Sequence, residues 1–160
     1  KGFLWGLGMG DDSTSLSFNG IYEKNNDTLG DSAYLLDLVA AHNVSDSLNL
    51  SVNLDYISGE VAGLDPWAIA LSIGSRLGIS DDLGVGGRFE LLHTDADDAL
   101  DTETDTYSVT VTSDYALADN LTWKCEVSYL TADDDTPFAD ESGTNKDDVW
   151  LLGTQLTYSF

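Results

Sequence analysis

Apolar side chains recur at every second position along most of this chain, holding that phase for about a dozen residues at a time. From Leu121 the odd positions read Leu121, Trp123, Cys125, Val127, Tyr129, against Thr122, Lys124, Glu126 and Ser128 between them. From Trp150 the even positions read Trp150, Leu152, Thr154, Leu156, Tyr158, Phe160, and Tyr107 to Leu117 alternates in the same way. Successive side chains of a strand point to opposite faces, so each run is a strand with two unlike faces. The pattern gives nine strands, at about 2–10, 14–23, 33–44, 48–58, 66–79, 83–93, 106–117, 121–131 and 148–160. Their connections alternate between short and long. The short ones, Asp11-Asp12-Ser13, Ser45-Asp46-Ser47, Ser80-Asp81-Asp82 and Ala118-Asp119-Asn120, carry side chains that hydrogen-bond a turn backbone and read as tight hairpins. The long ones, 24–32, 59–65, 94–105 and 132–147, are acidic and poor in apolar residues. A repeat of strand, tight turn, strand and long loop predicts an all-β antiparallel up-and-down meander over a single domain, 1–160.

Charge narrows the partners. With 29 Asp and Glu against 6 Lys and Arg the net charge is −23. A chain so acidic lacks the basic face that a nucleic-acid backbone requires, so nucleic acid is excluded. The same sequence is 42% hydrophobic and 10% aromatic, enough to fold. No run approaches the roughly 20 apolar residues of a membrane-spanning helix. Cys125 is the only cysteine and falls on the apolar row, where it reads as an inert small hydrophobe.

A two-faced meander has two uses. Its apolar face is either the core of a soluble β binding protein or a surface that meets lipid. The aromatic residues separate these readings. Tyr22, Tyr34, Tyr56, Trp67, Tyr107, Tyr129 and Trp150 all sit on the apolar face where a strand meets a long loop, with strand six alone offering Phe89 and His93 instead. At the opposite ends stand Tyr115, Trp123, Tyr158 and Phe160, and between the two levels the face is mostly Leu, Ile, Val, Ala and Gly. Tyr107 to Tyr115 covers about 26 Å of strand, or roughly 20 Å of height at a tilt near 40°, close to the apolar band of an outer-membrane barrel. Tyr and Trp rest at membrane interfaces with one end apolar and one end hydrated, whereas a soluble core has no reason to grade residues by height. The reading is therefore a transmembrane β-barrel with long loops outside the cell and tight turns in the periplasm. Of the 29 acids, 18 fall in or at the edges of the long loops, 6 in the tight turns and 5, Asp37, Asp55, Glu90, Asp114 and Glu126, on the polar strand face, and none is expected on the lipid face.

The C-terminal Leu156-Thr157-Tyr158-Ser159-Phe160 resembles the signal that outer-membrane proteins present to the barrel assembly machinery, with Leu156, Tyr158 and Phe160 as its residues. Together with Leu35-Leu36-Asp37-Leu38-Val39, Val44-Ser45-Asp46-Ser47-Leu48, Leu83-Gly84-Val85-Gly86-Gly87-Arg88-Phe89-Glu90, Tyr107-Ser108-Val109-Thr110-Val111 and Leu117-Ala118-Asp119-Asn120-Leu121, the chain resembles the C-terminal half of beta-barrel porins of the OmpL-like type. That resemblance implies a Gram-negative outer-membrane channel for small hydrophilic solutes. The sequence shows no glycine-rich phosphate loop, Ser/His/Asp set or metal-ligand spacing, so no cofactor and no enzymatic reaction are expected. Single-chain barrels have an even number of strands with both termini periplasmic, so nine strands ending in the periplasm lead us to expect a C-terminal segment of a larger barrel. The competing functional class is a non-transporting outer-membrane barrel acting as an adhesin or structural protein.

Tight turns fix register, so facing pairs follow. Pairing Val44 with Leu48 sets Asp37 opposite Asp55, either a cation-attracting pair or two solvated carboxylates. Pairing Leu117 with Leu121 sets Asp114 opposite Lys124, read as a structural ion pair, and Thr112 opposite Glu126. Arg76, Arg88 and Lys124 lie on the polar face near Glu90 and Glu126, either orienting solutes or forming a solvated wall. The remaining pore lining is expected to be Ser, Thr, Asn and Gly. His42 and His93 read as interfacial residues rather than ligands. The clusters Asp95-Ala96-Asp97-Asp98 and Asp133-Asp134-Asp135 lack the glycine and terminal glutamate of a calcium loop, so no metal site is assigned.

Overall fold

The computed structural model describes residues 1–24, 32–60, 63–96, 103–133, 138–139 and 145–160. Among them there is no helix. The strands are β1 (Gly2–Gly10), β2 (Thr14–Lys24), β3 (Ser32–Asn43), β4 (Leu48–Gly59), β5 (Trp67–Gly78), β6 (Leu83–Asp95), β7 (Glu103–Ala118), β8 (Leu121–Ala132), β9 (Phe138–Ala139), β10 (Asn145–Lys146) and β11 (Asp148–Tyr158). The nine long strands form one antiparallel sheet in the order β1 to β8 followed by β11. The short β9 and β10 pair only with each other, a ribbon within the segment read from sequence as plain loop. The sheet is open, with β1 and β11 at its edges.

Boundaries follow the periodicity to within a residue or two except at the β6–β7 hairpin. There β7 begins at Glu103 rather than near 106, because β-branched Thr104 and Thr106 continue the alternation upward. Asp37 stands opposite Asp55, Asp114 opposite Lys124 and Thr112 opposite Glu126, as the turns predict. The pairing of Leu117 with Leu121 does not occur. Ala118 pairs with Leu121 around a two-residue Asp119-Asn120 turn, and the register shifts between Ala116 and Ala118. A two-residue connection suits the twist of a hairpin, and a bulge takes up the extra residue without disturbing the pairs above it.

Side chains close the other short turns. The Asp11 carboxylate accepts hydrogen bonds from the backbone N–H groups of Ser13 at 2.8 Å and Thr14 at 2.7 Å, and from the Ser13 hydroxyl at 3.0 Å. Ser45 Oγ accepts from the N–H of Leu48 at 3.1 Å, and Ser80 Oγ from that of Leu83 at 3.2 Å. The bonds accepted by Asp11, above all that from the Ser13 N–H, hold its carboxyl below the ordinary pKa.

Burial in this sheet is inverted relative to a soluble protein. Away from Asp95, which is 5% exposed at the long-loop end of the apolar face, the enclosed polar side chains share one face: Thr110 is 2% exposed, Ser128 7% and Ser108 9%, with the hydroxyls of Thr110 and Ser128 2.9 Å apart. Ala132 is the single buried hydrophobic residue among the described ones, whereas Leu152, Val111 and Ile73 are 79%, 54% and 48% exposed. One layer of strands can enclose side chains on a face only by curling toward it, so the face carrying Thr110 and Ser128 is the inner one. The apolar face is left for an apolar surrounding.

Adjacent positions on β5 test this assignment. Ile73→Lys on the apolar face should destabilise the full-length protein in lipid vesicles by about 2–4 kcal/mol, while Ser72→Lys on the inner face should change it by less than about 1 kcal/mol. Urea unfolding distinguishes them, and equal costs would contradict the assignment. For the Asp11 turn, a depressed carboxyl pKa means that its stabilisation is complete above about pH 4 and is lost as pH falls through the lowered value. An NMR titration of Asp11 in micelles should have its midpoint below the ordinary aspartate value; a midpoint at or above it would contradict the turn geometry.

Candidate functional site: the polar face

The register brings Asp37, Asp55, Arg76, Arg88, Glu90, Asp114, Lys124 and Glu126 onto one face of the sheet. They do not form one cluster. Toward the long-loop end, Asp37 and Asp55 are direct cross-strand neighbours, and their described hydrogen bonds come from neutral amides. Asn19 Nδ2 donates to Asp37 at 2.7 Å, and Asn53 Nδ2 donates to Asp55 at 2.7 Å. The carbonyl oxygen of Asn53 is buried without a hydrogen-bond partner. Midway down, Arg88 Nε lies 3.1 Å from Glu90, which also accepts from Ser108 Oγ at 2.9 Å. Glu126 accepts from Thr112 Oγ1 at 3.0 Å.

Toward the tight turns the ion pairing departs from the expectation. Asp114 is bound by Arg76 and not by the Lys124 opposite it: Nε and Nη2 of Arg76 meet the two carboxylate oxygens at 3.0 and 2.5 Å. One strand, β6, separates these residues, and what it places between them is glycine, Gly86 beside Arg76 and Gly84 beside Asp114. A Cβ on Gly84 would collide with the Arg76 guanidinium and stand 2.7 Å from Asp114 Oδ1. The missing side chains thus open a channel across β6 through which Arg76 makes the two-pronged contact that a lysine cannot. The pair borders a hollow of about 590 Å³ lined with Asp46, Asp81 and Asp82 of the turns.

The polar face is also less polar than its alternation suggests. Ile21, Leu35, Val39, Ile57, Leu92, Leu130 and Leu151 all lie in phase with the charges, and Ile21, Ile57 and Leu92 are more than a third exposed. The signal was present in doublets such as Leu35-Leu36, Leu91-Leu92 and Leu151-Leu152. Two consecutive apolar residues in a strand place one on each face.

On the outer face the aromatic level is continuous across four strands. Ring centroids lie 5.9 Å apart for Tyr34 and Tyr56, 6.3 Å for Tyr56 and Trp67, and 4.8 Å for Trp67 and His93; Tyr129 and Trp150 lie 4.9 Å apart with their planes tilted by 47°. His93 therefore fills the place in the ring that strand six was expected to leave open. Tyr22 faces Tyr34 in register, and at the other end Tyr115 faces Trp123. Trp123 Nε1 donates to Thr154 Oγ1 at 2.7 Å, Tyr158 is exposed, and His42 Nδ1 lies 2.9 Å from Thr14 Oγ1.

One expectation about this face is corrected: acids do occur on it. The longer β6–β7 hairpin places Asp95, Glu103 and Asp105 in phase with Trp67 and His93. They sit at or beyond the aromatic level, and Asp95 and Asp105 are engaged there. Trp67 Nε1 donates to Asp95 at 3.0 Å, and His93 Nδ1 lies 2.6 Å from Asp105 Oδ1. Among the described residues no cluster of three or more His, Cys, Asp or Glu has metal-binding geometry. Asp97, Asp98, Asp134 and Asp135 lie outside the described residues.

An open meander with enclosed polar groups, an exposed apolar face and aromatic levels at its margins has the architecture of an outer-membrane β-barrel. The chain belongs to the family described as "Putative beta-barrel porin-2, OmpL-like", whose model matches residues 1–160. It is similar in fold to an anion-selective porin from Comamonas acidovorans, with a TM-score of 0.78, 13% identity and coverage of 97% of this chain and 48% of that porin. It is likewise similar to OmpT expressed in the outer membrane of Vibrio cholerae, with a TM-score of 0.73, 12% identity and coverage of 99% and 56%. The chain spans about half the length of these solved structures. No curated protein matches the sequence significantly. The protein is one of the Gram-negative outer membrane.

The glycine channel carries a test. Gly84→Val should displace the Arg76 guanidinium and destabilise the folded barrel by roughly 1–3 kcal/mol. In a double-mutant cycle read by urea unfolding, Gly84→Val and Arg76→Ala should be strongly non-additive; simple addition would mean that the bridge does not depend on the gap.

Proposed function

We propose that the polar face lines the aqueous lumen of a passive diffusion channel for small solutes, and that residues 1–160 form the C-terminal segment of its barrel. The inverted burial carries this reading, because a sheet that encloses hydroxyls and charges while exposing Leu, Val and Ile suits a wet interior and a lipid exterior. Nine consecutive antiparallel strands leave β1 and β11 running in the same direction. An antiparallel seam therefore takes an odd number of further strands, and a second copy of these nine in the same orientation would meet them parallel. In the membrane the outer face of the strands contacts lipid. Leu156, Tyr158 and Phe160, on or just beyond the edge strand β11, serve as the signal for barrel assembly. The protein acts as a channel and not as an enzyme.

Asp37 and Asp55 set the selectivity. Arg76 and Arg88 are engaged by Asp114 and Glu90, whereas neither carboxylate of the Asp37 and Asp55 pair has a cationic partner among the described residues. Their uncompensated charge favours cations in the lumen. In planar bilayers the full-length protein should give a reversal potential of cationic sign, and the double variant Asp37→Asn, Asp55→Asn should lower the cation-to-anion permeability ratio about twofold or more. Anion preference of the unaltered channel would defeat this assignment.

A further inference from the structure

The apolar residues on the polar face stand in register with Asp37 and Asp55, and this relation narrows the solute class. Asp37, Asp55, Ala70 and Leu92 occupy one cross-strand row running from β3 to β6. Asp55 and Leu92 are two strands apart, about 10 Å at the usual strand spacing. Asp55, Ala70, Leu92 and Leu130 line a single hollow of about 320 Å³, with Asn53 and Ser108 among its polar members. One row nearer the long loops, Ile57 faces Ala68, and both line a second hollow of about 470 Å³ with Ala33 and Thr94. A lumen that only passes hydrated solutes gains nothing from exposed Leu92 and Ile57, which hold water at an apolar surface.

We propose that this row is a subsite for organic cations with an apolar body, the ammonium group held at Asp37 and Asp55 and the hydrocarbon lying over Ala70 and Leu92. The assignment rests on the channel reading and deepens it. Charge complementarity selects the head group. Asp55 is bonded by a neutral amide, while Glu90, the other acid in the hollow, is already paired with Arg88. An ammonium group therefore gains most at the Asp37 and Asp55 end. Distance selects the body, because a chain reaching about 10 Å from the carboxylates covers the apolar stretch and displaces its water.

Single-channel recording of the full-length protein in planar bilayers tests the idea, with ethyl-, butyl- and hexylammonium as blockers and hexanoate and hexanol as controls. Conductance in potassium chloride is recorded first; its absence would remove the channel reading and this one together. In a conducting channel the blocking constant should tighten by about twofold or more per added methylene, short of the gain for complete burial. Hexylammonium should block at least about tenfold more tightly than hexanoate or hexanol, a preference that falls on Asp55→Asn. In a conducting Leu92→Ser variant the dependence on chain length should flatten. Block by the unaltered channel that is independent of chain length, or equal for hexylammonium and hexanoate, would overturn the subsite while leaving the channel reading intact.

Discussion

Everything in this structure follows from pairing the backbone amides along a chain that has no water on one side. In hydrocarbon an unpaired N–H or C=O costs several kcal/mol, so the backbone must satisfy itself, and a meander does so by bonding each strand to the next. The ladder runs unbroken from β1 to β11, with the bulge beside Leu117 placed at the tight-turn end. Side chains from Asp11, Ser45 and Ser80 satisfy the amides that the turns would otherwise leave bare. Because the pleat has a period of two, the same ladder that settles the backbone also sorts every side chain to one of two faces.

The two faces handle charge by different means. On the inner face the two arginines are matched individually, and the match for Arg76 depends on glycines that let it reach across a strand. Asp37 and Asp55 accept from the amides of Asn19 and Asn53 and meet no cation among the described residues, next to Ala70 and Leu92. The inner face is thus amphipathic along its width as well as polar overall. On the outer face charge is confined to the level of the rings and beyond, where Asp95 and Asp105 are held by Trp67 and His93. Aromatic rings with a polar edge are suited to that boundary, since they offer a donor to the acid and a flat apolar surface to the lipid.

Much of the fold was legible because a strand's periodicity is a local property. The nine strands, their order and the opposition of Asp37 to Asp55 all follow from alternation and turn length, for a short turn leaves little freedom of register. The candidate pore lining was legible as a face and not as a set of partners. Asp114 opposite Lys124 was correctly placed, yet its bond goes to Arg76, two strands away. The apolar members of the inner face are signalled by doublets, which an alternating pattern on the neighbouring strands masks. Thr104, in phase with Thr106, marks the start of β7 within a segment whose acidity reads as loop.

The sequence by itself determined which residues share a face and which strands are neighbours, since both depend on a period of two and on the length of each connection. Only the tertiary structure decided which face is enclosed, which charges meet and where hydrophobic side chains stand among them. Those outcomes depend on the sheet curling toward Thr110 and Ser128 and on reach across several strands, as when Arg76 passes over the gap at Gly84. Such distances are set by the packing of non-adjacent strands, and no local pattern of residues encodes them.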